Sequence, residues 1–143
     1  MDFARVWAGP YATRYLGDLG AEVIKIENEN FLDGGRISAN SNHMFPEINR
    51  NKLGVTVNFR KADGANLIRE LVSVSDVMLD NFASGVLARR GLGYEDLRKI
   101  RPDIIMISMP GYGNDGPYSE YVAYGQSLMA YAGLALFWGF PDS

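Results

Sequence analysis

The sequence predicts an α/β fold in which a mostly parallel sheet is flanked by helices, with a Rossmann-like arrangement. Two observations support this. Apolar strand patterns alternate with helical patterns along the chain. Near its start, the residues from Ala8 to Glu27 have the pattern of a turn, a helix, a second turn and a strand. Within that unit, Tyr11, Tyr15 and Leu19 recur at four-residue spacing, so they share one face of a helix.

The residues around this first helix have the chemistry of turns and caps. Gly9 permits a tight backbone turn, and Pro10 suits the first helical position because its missing N–H is not needed there. Gly20 is placed to end the helix in a left-handed conformation. The run 23–26 then reads as a largely buried strand, and residues 2–7 read as the remnant of a strand before the helix. Together they form the second half of a βαβ unit.

Later elements continue the alternation. The segment 28–51, which holds the lone His43, has no clear periodicity, so we expect a functional or poorly ordered loop. The run 103–109 is the most apolar strand, and we expect it at the centre of the sheet. The other predicted elements are a strand over 54–58, a helix over 63–74 capped by Asp63 or its neighbour, a strand over 76–80, a helical turn over 84–91 closed by Gly91, a helix over 94–100, a loop over 110–118 and a buried helix over 122–136.

Composition excludes several classes of protein. The 143 residues suffice for one domain, and the net charge of −3 argues against a non-specific nucleic-acid binder. The chain has no cysteine and one histidine, which excludes disulfides and argues against a transition-metal site. No apolar run is long enough to span a bilayer, and the N-terminus lacks a signal-peptide layout. We therefore expect a cytoplasmic protein without membrane or nucleic-acid partners.

The two ends of the chain predict a partial domain. Met1 lies almost directly before the first turn, which leaves little room for a strand. Ser143 follows closely after an apolar segment. We therefore expect residues 1–143 to be a single domain truncated at both ends, belonging to a longer chain.

Ligands of parallel α/β sheets bind beyond the carboxyl ends of the strands, and cations follow two of the predicted strands. Arg60 and Lys61 come directly after one strand, and Arg89 and Arg90 close a short helix after another. Such cations suit the phosphates of a nucleotide-like ligand. The alternative interpretation is that they are solvated surface charges.

Three further residues near strand ends each allow two interpretations. Asn81 and Phe82 could hydrogen-bond and stack on a base, or could be a turn residue and a packed ring. Glu27 lies where an acid binds a ribose hydroxyl in dinucleotide folds, but the first turn has neither a G-x-G-x-x-G nor a P-loop pattern. A nicotinamide-nucleotide site is therefore disfavoured. Asp115 lies in the Gly/Pro-rich loop 110–118 and is best explained as a turn residue. The residues alone indicate an anionic-ligand site without a catalytic group.

Six sequence blocks follow one another along the chain. They are Asp2-Phe3 with Val6-Trp7-Ala8-Gly9-Pro10, the run from Asp18 to Glu27, Asn49-Arg50-Asn51-Lys52, Asp76-Val77 with Asp80-Asn81-Phe82, the run from Gly91 to Leu97, and Gly111-Tyr112-Gly113 with Gly116-Pro117-Tyr118. In this order the blocks resemble the family III CoA-transferases, which include formyl-CoA transferase, carnitine CoA-transferase and α-methylacyl-CoA racemase. The resemblance covers essentially the whole chain and implies a coenzyme A (CoA) thioester site without a metal.

The resemblance also implies seven CoA-binding positions. Asn28 departs from the family pattern, because some relatives have an arginine there that contacts a phosphate. The seven positions are Val6 and Trp7 along the adenosine or pantetheine path, Val57 and Arg60 beside the adenine and phosphates, Asn81 and Phe82 in a strand-end motif, and Arg89 at a phosphate.

The chemistry implied by the family uses an aspartate that attacks the acyl-CoA carbonyl and then carries CoA as a thioester. In the family pattern this aspartate follows the present chain, so no catalytic residue is assigned here, and Asp142 lies too early. The racemase branch has a histidine near residues 122–125, where this chain has Tyr124-Gly125, which favours a transferase. A racemase-like enzyme and a non-catalytic CoA-binding fragment remain the alternatives. Full-length members are interlocked homodimers that act on acyl-CoA and carboxylic acids.

Overall fold

The computed structural model describes residues 1–37 and 43–138 and confirms an α/β fold of parallel strands flanked by helices. Short 3-10 helices span Ala88–Arg90 and Leu134–Trp138. The strands are β1 (Val23–Glu27), β2 (Lys52–Thr56), β3 (Val77–Asp80) and β4 (Ile105–Ser108), and the helices are α1 (Ala8–Asp18), α2 (Gly34–Ile37), α3 (Met44–Asn49), α4 (Ala62–Ser73), α5 (Tyr94–Leu97) and α6 (Gly125–Tyr131).

The first residues of the chain join two parallel strand pairs into one sheet. β1 pairs with β2, and β3 pairs with β4. Between them, the Asp2 N–H donates to the Ile24 carbonyl at 2.8 Å, and the Phe3 N–H donates to the Leu79 carbonyl at 2.8 Å. The order across the sheet is therefore β2, β1, residues 1–3, β3, β4.

The structure corrects two predictions in the first third of the chain. The strand predicted over 2–7 makes ladder contacts only through residues 1–3, because the backbone turns away from the sheet by Val6, whose φ is 68°. The predicted loop 28–51 contains two short helices, α2 and α3, that its irregular apolar spacing did not indicate. Residues 38–42 of that loop lie outside the described residues.

The apolar run 103–109 is the outermost strand of the described sheet and not its centre. β4 pairs on one side with β3, and Ile105 remains 57% exposed. The reason is that an apolar sequence indicates a strand suited to burial but carries no information about which strands pair with it.

The predicted buried helix over 122–136 is also wrong in its extent and its burial. It divides into α6 and a 3-10 helix, because Gly133 adopts a positive φ of 78° between them. No residue of α6 is buried in the described structure. Residues 139–143, including Asp142, lie outside the described residues.

Several local predictions are confirmed. Gly20 and Gly91 adopt positive φ values of 98° and 63°, as expected for residues that end helical segments. The predicted cap of α4 is wrong, because Asp63 lies inside the first turn, Lys61 holds the N-cap position, and no side chain caps that helix by a hydrogen bond.

None of the helices in the described parts of the chain has the length and apolar character needed to cross a bilayer. The main hydrophobic core consists of Phe3, Ile26, Val57, Phe59, Ile68, Val72, Met78, Leu87, Leu92, Leu97 and Ile104.

Candidate functional site

A cavity of about 580 Å³ opens at the carboxyl ends of the strands, around the point where the chain leaves residues 1–3. This is the expected position of a ligand site in a parallel α/β sheet. Five of the seven predicted binding residues line it, and they are Val6, Trp7, Arg60, Asn81 and Phe82.

The other two predicted residues lie outside the lining. Val57 is only 5% exposed and belongs to the hydrophobic core beneath the cavity. Arg89 places its Nη1 3.5 Å from the Ser84 carbonyl, whereas the neighbouring Arg90 lines the cavity. A binding role for Val57 and Arg89 therefore stays a prediction, and Arg90 is added to the candidates.

Asn81 fixes the first turn of the chain. Its Oδ1 accepts the Arg5 backbone N–H at 2.8 Å, and its Nδ2 donates to the Arg5 carbonyl at 2.7 Å. The amide of Asn81 therefore binds backbone in the described structure and keeps a second N–H and a second lone pair for a ligand. Phe82 packs on Phe59, with ring centroids 6.2 Å apart, and also lines the cavity. A binding role for these two residues stays a prediction.

Three arginines give the cavity positive charge. Arg5, Arg60 and Arg90 line it, and none of them forms an ion pair with another described residue. The guanidinium carbon of Arg5 lies 4.0 Å from the ring centroid of Phe31, and that of Arg60 lies 5.3 Å from the same ring. The Arg5 Nε is buried and has no hydrogen-bond partner among the described residues. These groups can bind an anion without first breaking a described ion pair.

The cavity carboxylates are already bound by other groups. Glu27 accepts two hydrogen bonds from Arg36, at 2.8 and 2.7 Å, which gives this acid an ion-pair partner that the sequence did not identify. Asp33, which is 2% exposed, accepts the backbone N–H groups of Val6 and Gly35. The carboxylates therefore leave the three arginines available to a ligand.

Asn28, at the position where some relatives have arginine, is bound within the protein. It is 6% exposed, its Nδ2 donates to Asn58 Oδ1 at 3.2 Å, and its Oδ1 accepts the Asn30 N–H at 2.9 Å. Arg5 and Arg60 line the same cavity as Asn28. The lone histidine, His43, is exposed and precedes α3 without capping it through its side chain.

A buried polar network supports the floor of the site. Asp2 Oδ2 accepts from Lys52 Nζ at 2.8 Å and from Thr13 Oγ1 at 2.8 Å. Lys25 donates to the Ala4 carbonyl and lies 3.7 Å from Asp2. Burial lowers the pKa of Lys25 and of Lys52, and the carboxylate of Asp2 opposes the shift in both. A lysine in the otherwise apolar run of β1 is the one sequence signal that indicates this network.

Asp80 ends β3 under the site. Burial raises the pKa of its carboxyl, and hydrogen bonds from the Phe82 N–H and the Ser108 hydroxyl oppose that rise. Among the described residues, no group of three or more histidine, aspartate or glutamate side chains is placed to hold a metal ion.

Comparison with known proteins identifies the family of this chain. A family model described as "CoA-transferase family III" matches residues 1–143. The human "Succinyl-CoA:glutarate CoA-transferase" is 42% identical over 140 residues, a match that covers 94% of this chain and 32% of the relative. "Succinyl-CoA--D-citramalate CoA-transferase" of Chloroflexus aurantiacus is 36% identical, covering 94% of this chain and 35% of the relative.

Solved structures show the same fold. The crystal structure of Rv3272 from Mycobacterium tuberculosis superposes with a TM-score of 0.90 at 33% identity, covering 99% of this chain and 39% of that one. A CAIB/BAIF family protein from Brucella suis superposes with a TM-score of 0.88 at 37% identity, with the same coverage. The chain thus spans about a third of the length of the curated relatives it matches. The chain belongs to CoA-transferase family III, and it corresponds to the N-terminal portion of these longer proteins.

Proposed function

We propose that this chain is the CoA-binding portion of an enzyme that transfers CoA between carboxylic acids. The observation that carries the proposal is the cavity with Arg5, Arg60 and Arg90, none of which is in an ion pair with a described residue. Guanidinium groups bind phosphates through paired, charge-assisted hydrogen bonds, and CoA carries three phosphates. A volume of about 580 Å³ is within the range of small-molecule sites.

The sheet order supports the location of this site. Taken along the chain, the strands lie in the order third, second, first, fourth, fifth, which is the Rossmann-like order of doubly wound sheets. The switch point of such a sheet lies between its first and fourth strands, here residues 1–3 and β3. Arg5 and Asn81 follow those two strands directly. The binding set that we propose is the seven sequence-derived positions together with Arg5 and Arg90.

The proposed reaction requires a carboxylate nucleophile that follows this chain in the intact protein. The aspartate attacks the thioester carbonyl, the C–S bond breaks, and a mixed anhydride and CoA thiolate form. The thiolate then attacks the aspartyl carbonyl of the anhydride, which releases the first acid and leaves an aspartyl-CoA thioester. The second acid attacks the carbonyl of that thioester, which releases CoA thiolate and forms a second mixed anhydride. The thiolate then attacks the acyl carbonyl of this anhydride, which gives the new acyl-CoA and frees the aspartate carboxylate. The chain described here contributes by holding the CoA moiety throughout.

Titration calorimetry with CoA and with NAD tests the binding proposal. We expect CoA to bind and NAD to bind at least about tenfold more weakly, because NAD has one phosphate fewer for the cavity arginines. Arg60→Ala should weaken CoA binding about three- to tenfold, whereas Lys99→Ala, which removes an exposed cation paired with Asp96 away from the cavity, should not. Equal binding of CoA and NAD would contradict the proposal.

Activity must be measured on the intact protein. We expect CoA to move from a donor thioester to an added acid, and we expect residues 1–143 alone to show no turnover. Loss of α-deuterium in D₂O without CoA exchange would instead support the racemase-like alternative. Binding of CoA by an intact protein that catalyses neither reaction would support the non-catalytic alternative.

We also propose that the intact protein is a cytoplasmic, interlocked homodimer without nucleic-acid or membrane partners. Exposed apolar side chains near the end of the described chain support the dimer, since Leu136, Phe137 and Trp138 are 86%, 83% and 79% exposed. Light scattering after gel filtration would test it, and a monomer would contradict it. Cell fractionation would test the location.

A further inference from the structure

The first turn contains a strained backbone conformation at the wall of the cavity. Val6 has a φ of 68°, in the left-handed region that β-branched residues almost never adopt. Val6 and the next residue, Trp7, both line the cavity. Strained residues of this kind persist only where the surrounding structure determines their conformation, and they cluster at ligand sites.

Two groups from distant parts of the chain hold this turn. The Val6 N–H donates to both carboxylate oxygens of Asp33, at 3.2 and 3.1 Å. One residue earlier, the backbone of Arg5 is bound on both its N–H and its carbonyl by Asn81, 76 positions away. The strained residue is therefore held directly by a buried carboxylate and is preceded by a residue with no free backbone polar group.

Asp33 is unsuited to contact an anionic ligand itself. Its oxygens accept N–H groups from Val6 and Gly35, and the Lys25 ammonium lies 3.9 Å away. A carboxylate beside a polyanion would oppose binding unless it were neutralised in this way. These contacts neutralise a buried acid in a cavity that three arginines also line.

The held turn also positions the start of the first helix. α1 begins at Ala8, directly after Trp7, and the Trp7 indole stacks on Tyr11 with ring centroids 6.0 Å apart. Any rotation of the Val6 backbone would move the indole and the start of α1 relative to the arginines. Holding these groups in place before the ligand arrives reduces the entropy lost on binding.

We infer that Asp33 is a positioning residue, which holds Val6 in its strained conformation and so keeps the Arg5–Trp7 turn in the form that binds CoA. The inference rests on the proposed function for the identity of the ligand. It concerns a residue outside the sequence-derived binding set, and it assigns Asp33 no contact with the ligand.

Two substitutions of Val6 separate strain from loss of the side chain. At an ordinary φ, alanine is more stable than glycine, whereas at a φ of 68° the order should reverse. We therefore expect Val6→Gly to unfold at higher urea than Val6→Ala. We also expect Val6→Gly to bind CoA about tenfold more weakly than Val6→Ala, because glycine frees the turn. The more stable variant should thus be the weaker binder.

Substitutions of Asp33 test the residue that holds the turn. Asp33→Ala should weaken CoA binding, and Asp33→Asn, which keeps an oxygen acceptor for the Val6 N–H, should recover part of the affinity. In the intact enzyme, KM for the acyl-CoA should rise with kcat little changed, because the residue acts on binding. Should Asp33→Ala fail to fold, the Val6 pair and Asp33→Asn still decide the matter.

The outcomes separate this inference from the proposed function. If the wild-type protein does not bind CoA, the proposed function fails, and the positioning role fails with it. If the wild-type protein binds CoA but Val6→Gly and Val6→Ala bind it equally, or if Val6→Ala is the more stable, the positioning role alone is overturned.

Discussion

The packing of α1 against the first strand gives the sharpest stability prediction. Gly9 lies in the first turn of α1, where a Cβ would come 2.1 Å from the Ala4 Cβ and 3.0 Å from Leu79 Cδ2. Non-bonded carbons prefer separations of about 3.5–4.0 Å, so Gly9→Ala must displace the helix or the strand. The need for glycine is therefore close approach, and not the turn conformation that the sequence predicted, because Gly9 is helical.

The magnitude follows from two opposing effects. Overpacking a filled site costs about 1–3 kcal/mol, and a contact this short at a backbone-anchored Cβ places the cost at the upper end. Alanine regains about 1 kcal/mol of helix propensity over glycine. The net expected loss is about 2 kcal/mol, which lowers the urea midpoint by about 1 M for a slope of about 2 kcal/mol/M.

A double-mutant cycle identifies the clash. Removing the nearest atom with Ala4→Gly should let the double variant regain about 1 kcal/mol or more relative to the sum of the single changes. Gly125→Ala is the matched control, because nothing lies within 4 Å of its added Cβ, and it should be neutral or stabilising. Urea unfolding followed by far-ultraviolet circular dichroism measures the four proteins of the cycle and the control. Wild-type stability for Gly9→Ala, or strict additivity in the cycle, would refute the reasoning.

Three other predictions concern charge and backbone conformation. Arg90→Ala should raise the Kd for CoA about tenfold and Arg89→Ala less than about threefold, since of these two only Arg90 lines the cavity. If calorimetry shows the reverse order, the phosphate contact belongs to Arg89, as the sequence predicted. Burial raises the pKa of Asp80 in the folded state above its value in the unfolded state. At a pH between these two pKa values the folded state binds more protons than the unfolded state, so the free energy of unfolding falls as the pH rises through this range. Asp80→Asn should therefore raise the stability at pH 7 and make it depend less on pH, whereas Asp115→Asn, at an exposed position, serves as the control. An unchanged pH profile of the urea midpoint in Asp80→Asn would contradict this prediction. Gly20→Ala should lower the free energy of unfolding by about 1–2 kcal/mol in the same assay, because the φ of Gly20 is 98°. Steric contact does not contribute, since no atom lies within 4 Å of the added Cβ. Wild-type stability would show that the backbone relieves the strain.

Local features of the fold were predictable because their causes lie within a few residues. Gly20 and Gly91 end helical segments with positive φ, as their positions after amphipathic or helical runs indicated. The alternation of strands and helices predicted a parallel sheet, which β1–β2 and β3–β4 confirm. The site positions depended on the family resemblance, and five of those seven residues line the cavity.

The missed features all depend on contacts between distant segments. No local pattern shows that residues 1–3 hydrogen-bond to both β1 and β3, or that β4 lies at the edge of the described sheet. The same holds for Arg5, because its place in the cavity follows from a backbone clamp by a residue 76 positions away.

The sequence by itself determined that this protein is an α/β member of CoA-transferase family III with cations after its strands. Only the tertiary structure decided which cations face the cavity, since Arg89 and Arg90 are adjacent in sequence and differ only in where the 3-10 helix Ala88–Arg90 directs them. It also decided that Val6 is strained and that Asp33 binds its N–H. The physical reason is that residue type and spacing act locally, whereas the direction of a side chain in a loop is set by whatever the fold packs against it.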